Sequence, residues 1–171
     1  MTLASLLCLL FPAMAILAAV YDARSMTIPN WISIVLAISY VPVAFIVGLP
    51  LVDIGWSVGI GFIALVIGIA LFAFRILGGG DAKLLAASAM WVGLSGLLPF
   101  LLYTALAGGA LSLFLLLARK WMPLMPVVVG PQWMQRLLEP KGDIPYGIAI
   151  AVAAVLVYPQ TALVLASIAM A

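Results

Sequence analysis

Apolar runs fill most of this chain, at residues 3–21, 31–49, 54–74, 82–94, 97–118 and 147–170, joined by short connections except for the long fifth one, which mixes charges with the apolar run 122–130. An α-helix needs about 20 such residues to cross a hydrocarbon core about 30 Å thick. The expected fold is therefore all-α and integral to the membrane, with six spans in one domain over 1–171 and no separate soluble domain. Composition agrees, since 7% of residues are charged where soluble chains average about 25%. The run 82–94 is short. At 1.5 Å per residue it covers only about 20 Å, so its start is expected below the near membrane surface.

The charges exclude several classes of function. Seven basic residues stand against five acidic ones, and they do not cluster into the basic surface that nucleic acid requires. Cys8 is the one cysteine and there is no histidine, so an internal disulfide, a cysteine metal site, a histidine triad and a His-ligated zinc are all ruled out. No metal or cofactor is expected. The basic residues also set the orientation. Arg24 follows the first run, Arg75 and Lys83 flank the third connection, and Arg119, Lys120, Arg136 and Lys141 lie in the fifth. By the positive-inside rule, connections one, three and five face the cytoplasm and both termini face the outer, periplasmic side. This places Asp22 and Asp81 on the same, cytoplasmic, side.

Each acid has an ordinary role to weigh first. Asp53, in "LPLVDIGW", suits an N-cap of the third helix, and Glu139 and Asp143 suit solvated loop charges among four basic residues. Asp22 and Asp81 differ, because acids at the ends of membrane spans are costly to bury and mark function by default. An N-cap would account for Asp81 alone. It leaves Gly78, Gly79 and Gly80 unexplained, since a glycine triplet loses more entropy on ordering than other residues and implies either a flexible connection or a backbone that approaches something closely.

Two carboxylates sharing a water and a proton can hydrolyse a peptide bond: the ionised partner takes a proton from water while the neutral one donates to the scissile carbonyl. Helix ends suggest Asp81, at a helix N-terminus, as base and Asp22, at a helix C-terminus, as acid. Two buried acids also fit a small proton-coupled transporter or channel. That reading expects acids along a path across the membrane rather than gathered at one face, and it gives the glycines no task.

The string "GGGDAKLLAA", with Gly78, Gly80, Asp81, Lys83 and Leu84 in the pattern G-x-G-D-x-K-L, resembles the second catalytic motif of type IV prepilin peptidases. "YDARSMTIPNW", with Asp22 and Ile28-Pro29-Asn30, resembles the first, and "DIPYGIAIA" looks like the opening of the family's last membrane helix. The resemblance implies an intramembrane aspartyl endopeptidase of the bacterial inner membrane, with Asp22 and Asp81 catalytic. It would remove the short basic leader of a prepilin at the cytoplasmic face, ahead of the substrate's apolar helix. The compact length resembles the short peptidases of Flp-type, tight-adherence pili, with archaeal preflagellin peptidases as close relatives. The long bacterial form adds a cytoplasmic domain with paired cysteines linked to N-methylation of the new terminus, so protease activity alone is expected here. Presenilin-like G-x-G-D proteases end in a Pro-Ala-Leu motif, which this sequence lacks.

The remaining features have structural readings. Lys83 stands about 200° around a helix from Asp81, which favours anchoring to membrane lipid over sharing a face with the acid. Pro29 is expected to end a helix and hold the turn that carries Asn30. Gly55, Gly59, Gly61, Gly108, Gly109 and Ser112 are spaced for close helix packing in lipid. The tryptophans at 31, 56, 91, 121 and 133 suit an interfacial belt.

Overall fold

A computed structural model describes residues 3–121, 131–139 and 142–169. In chain order the helices are α1 (Leu3–Cys8), α2 (Leu10–Ser25), α3 (Asn30–Ile46), α4 (Leu51–Ala73), α5 (Gly79–Trp121), α6 (Gln132–Leu137), α7 (Tyr146–Val157) and α8 (Ala162–Ala169), with a 3-10 turn at Tyr158–Gln160. Among the described residues there is no strand, as expected of an all-α chain. Prolines set several helix starts. Pro29, Pro50, Pro131 and Pro145 each stand immediately before α3, α4, α6 and α7 with φ between −56° and −74°, an angle that the ring supplies without cost. Pro29 thus begins a helix. The expected helix end comes earlier, at Ser25, where Met26 turns left-handed at φ 53°.

Among the described residues three helical stretches, Leu3–Ser25, Leu51–Ala73 and Gly79–Trp121, are long and apolar enough to cross a membrane, and α7 with α8, bent by 42°, makes a fourth if counted as one span. The apolar helix α3 has 17 residues. The fourth and fifth expected spans form one element, α5, of 43 residues, which would run about 65 Å if straight, twice the hydrocarbon core. Its one non-helical residue is Gly93, at φ 64° and ψ −173°, a conformation open to glycine because it has no Cβ. The connection expected at 95–96 is therefore replaced by a break at Gly93, and Gly96 is buried within helix. Much of α4 remains apolar and exposed, including Val52 (68%), Trp56 (61%) and Phe62 (66%). A helix that is apolar all round yet exposed fits hydrocarbon as its solvent.

Helix α5 packs against α4 and α7, and α2 packs against α7. The core centres on Trp91, which is 1% exposed. Its ring stacks on Phe11 at 5.5 Å and meets Tyr40 and Tyr158 edge-on, while its Nε1–H donates to the Leu36 carbonyl at 2.9 Å. Trp91 is thus a core residue and not part of a belt, whereas Trp31, Trp56, Trp121 and Trp133 are exposed. Of the glycines read as packing sites, Gly61 and Gly108 do meet neighbours: an added Cβ would strike Met90 or the Tyr146 ring. Gly55, Gly59 and Gly109 face open space, against the packing reading. Asp53 lies in the first turn of α4, three residues after Pro50 and so past the N-cap position. The apolar run 122–130 and Lys141 of the fifth connection lie outside the described residues.

Candidate active site

Three helix ends converge on one cavity of about 550 Å³, lined among others by Asp22, Met26, Arg75, Gly78, Asp81, Asp143 and Tyr146. Asp22 comes from the last turn of α2, Asp81 from the first turn of α5, and Tyr146 opens α7. The two acids singled out in the sequence, 59 positions apart (81 − 22), thus meet at a single site. Two non-glycine residues with positive φ, Met26 at 53° and Arg75 at 58°, lie on its lining. Each costs of order 1 kcal/mol and ends the helix beside an edge of the cavity.

Asp81 is not the N-cap. The helix begins at Gly79, which makes Asp81 its third residue, and the carboxylate lies against Gly78, where an added Cβ would stand 2.6 Å from Oδ2. Its Oδ1 is buried with no hydrogen-bond partner among the described residues, as are Ser88 Oγ and Tyr158 Oη. Asp22 is 5% exposed, and its Oδ2 accepts the backbone N–H of Gly147 at 2.7 Å. Its side chain therefore meets the N-terminal turn of α7, as well as sitting at the C-terminus of its own helix. This removes the dipole argument for Asp22 as the acid.

The glycine triplet serves close approach. A Cβ on Gly78 would stand 2.6 Å from Oδ2 of Asp81, one on Gly80 3.1 Å from Cβ of Ile28, and one on Gly79 3.3 Å from the Phe72 ring. None of the three has positive φ. Gly80 lets α5 press on the turn of the first motif, between Asp22 and Asn30, while Gly78 leaves room for the Asp81 carboxylate. Gly78→Ala is accordingly expected to displace that carboxylate by up to about 1 Å and lower activity about 100-fold. Because the struck atom is a side-chain oxygen rather than backbone, thermal stability in micelles should change little. Equal losses of activity and stability would instead make Gly78 a folding residue.

Pro29, Asn30 and Lys83 do not line this cavity. Lys83 donates from Nζ to Oδ1 of Asn30 at 2.8 Å, tying the first motif to the second. Both line an adjoining apolar groove of about 810 Å³ between α3, α4 and α5. Sequence reasoning missed two features. Arg119, taken as one of the loop's basic residues, is 8% exposed and donates to the backbone carbonyls of Leu137 (3.0 Å) and Asp143 (2.8 Å), pinning the segment beside the cavity. Gly147 was the other. Its signal was a glycine in the first turn of an apolar helix, where it lowers helix propensity for no local gain.

A pair of carboxyl groups on one cavity is the arrangement in which a proton and a water can be shared. The model of the type IV leader peptidase family matches residues 9–113, more than half of the chain, and includes both aspartates but not α7. No curated protein and no solved structure matches the chain. With multi-pass apolar helices and this match over both motifs, the chain belongs to the type IV leader peptidase family.

Proposed function

We propose that this peptidase is an aspartyl endopeptidase that removes the basic leader of a Flp-type prepilin at the cytoplasmic face of the inner membrane. The observation that carries the reading is the shared cavity of Asp22 and Asp81, with one buried carboxyl oxygen of Asp81 left without a partner. A water between the carboxyl groups attacks the scissile carbonyl; one aspartate accepts its proton and the other donates to the carbonyl oxygen. The coupled pair holds the proton jointly, so the two roles belong to the dyad. The chain crosses the membrane six times on this reading, through α1–α2, α3, α4, the two parts of α5 on either side of Gly93, and α7–α8, with both termini outside. The basic residues around the cytoplasmic connections support that orientation.

Hydrolysis without methyl transfer is the second element of the proposal. The single cysteine, Cys8, is buried and lies 14 positions before Asp22 (22 − 8), about 20 Å along the first helical stretch. Co-expression with a Flp-type prepilin is expected to shorten the pilin by its leader and leave an unmethylated amino terminus, read by gel mobility and intact mass. A pilin left intact would reject this substrate class, and a terminus heavier by one methyl group would reject the protease-only reading.

A further inference from the structure

We propose that Gly147, which lies beyond the segment shared with the family model, is a positioning residue: its backbone N–H fixes the orientation of the Asp22 carboxylate. The inference rests on the proposed catalytic role of Asp22. Gly147 is the second residue of α7, and the bond spans 125 positions at 2.7 Å between buried partners. The first four N–H groups of a helix have no intrahelical acceptor, so this donor is free to serve the carboxylate. Only glycine fits. A Cβ at position 147 would lie 2.9 Å from Oδ2 and 3.0 Å from Cβ of Asp22, and 2.9 Å from Cδ1 of Ile28.

The donor is delivered by a fixed segment, 142–147. Arg119 holds the Asp143 carbonyl, the Gly142 N–H donates to the Glu139 carbonyl at 3.0 Å, and Pro145 is fully buried. At the next position the Tyr146 ring lies so close to α5 that a Cβ on Gly108 would stand 2.9 Å from its Cε1. A bond to a charged or proton-sharing carboxyl is among the stronger hydrogen bonds in a protein, and here it is aimed from a backbone that cannot swing away.

The test compares two changes in the full chain, solubilised and assayed with a prepilin. Replacing Gly147 by glycolic acid turns its amide into an ester, which removes the N–H, adds no atom and breaks no intrahelical bond. The expected result is a fall in kcat of about tenfold with KM within about twofold, because an interaction with a catalytic group and not with substrate is lost. Gly147→Ala should lose about 100-fold, and Ile28→Val, which deletes the Cδ1 atom, should not restore it. An ester variant with unchanged kcat, or recovery of Gly147→Ala by Ile28→Val, would overturn the inference, since the glycine would then serve packing alone. Asp22→Asn in the same assay separates the two levels. If it is inactive while the ester variant is unaffected, only the role of Gly147 falls; if it remains active, the catalytic reading falls and the role of Gly147 with it.

Discussion

Asp22→Asn and Asp81→Asn are each expected to lower leader cleavage at least about 1000-fold while the variants insert at normal levels. Asparagine matches aspartate in size, so the surrounding structure has no reason to rearrange. In Asp22→Asn the amide oxygen can still accept the Gly147 N–H that the carboxylate accepts at 2.7 Å. In Asp81→Asn the amide oxygen can stay beside Gly78 where Oδ2 lies, and the new NH2 group occupies the place of the buried, unpartnered Oδ1. What the amide cannot do is exchange a proton with water, which is the whole contribution of a general acid or base. Folding should be unharmed, because removing one of two acids from a shared cavity also removes repulsion between like charges. The double variant should be no slower than either single one, since residues acting as a unit lose their function together. The measurement is the rate of pilin shortening per inserted enzyme molecule. Activity within about tenfold of wild type for either variant would make that aspartate a capping residue and end the dyad mechanism.

The second large effect concerns stability. Trp91→Ala is expected to cost about 3 kcal/mol, at the low end for truncating a buried aromatic, because lipid removes most of the solvent-transfer contribution and leaves the lost packing and the cavity. The ring joins α5 to Phe11 of α2, to Tyr40 of α3 and to Tyr158 of the 3-10 turn. Its loss therefore loosens four elements at once. Trp91→Phe retains most of those ring contacts and gives up the 2.9 Å bond to the Leu36 carbonyl, so about 1 kcal/mol is expected. Unfolding midpoints in micelles would rank wild type above Trp91→Phe above Trp91→Ala. Equal midpoints would return Trp91 to the interfacial belt. Trp91 lies 10 positions from Asp81 (91 − 81), about 15 Å along α5, so the folded fraction of either variant should retain its cleavage rate.

The amino-acid sequence alone determined the all-helical, membrane-embedded character of the chain and the pair of acids that share a cavity. Helical spans and charge placement are local properties: a run of apolar residues dictates a span, and Asp22 and Asp81 stand at span ends whatever the helices later touch. The starts of α3, α4, α6 and α7 are likewise written in the prolines before them. Tertiary structure alone decided which apolar residues face protein and which face lipid. In water a polar stripe marks the exposed face of a helix, but here both faces are apolar, so Trp91 and Trp56 look alike in sequence while one is buried and the other 61% exposed. The break at Gly93, the burial of Arg119 and the bond from Gly147 to Asp22 belong to the same class. The last joins residues 125 positions apart through a backbone N–H, a group every residue except proline carries, and only the docking of α7 against α2 makes this one a partner of the carboxylate.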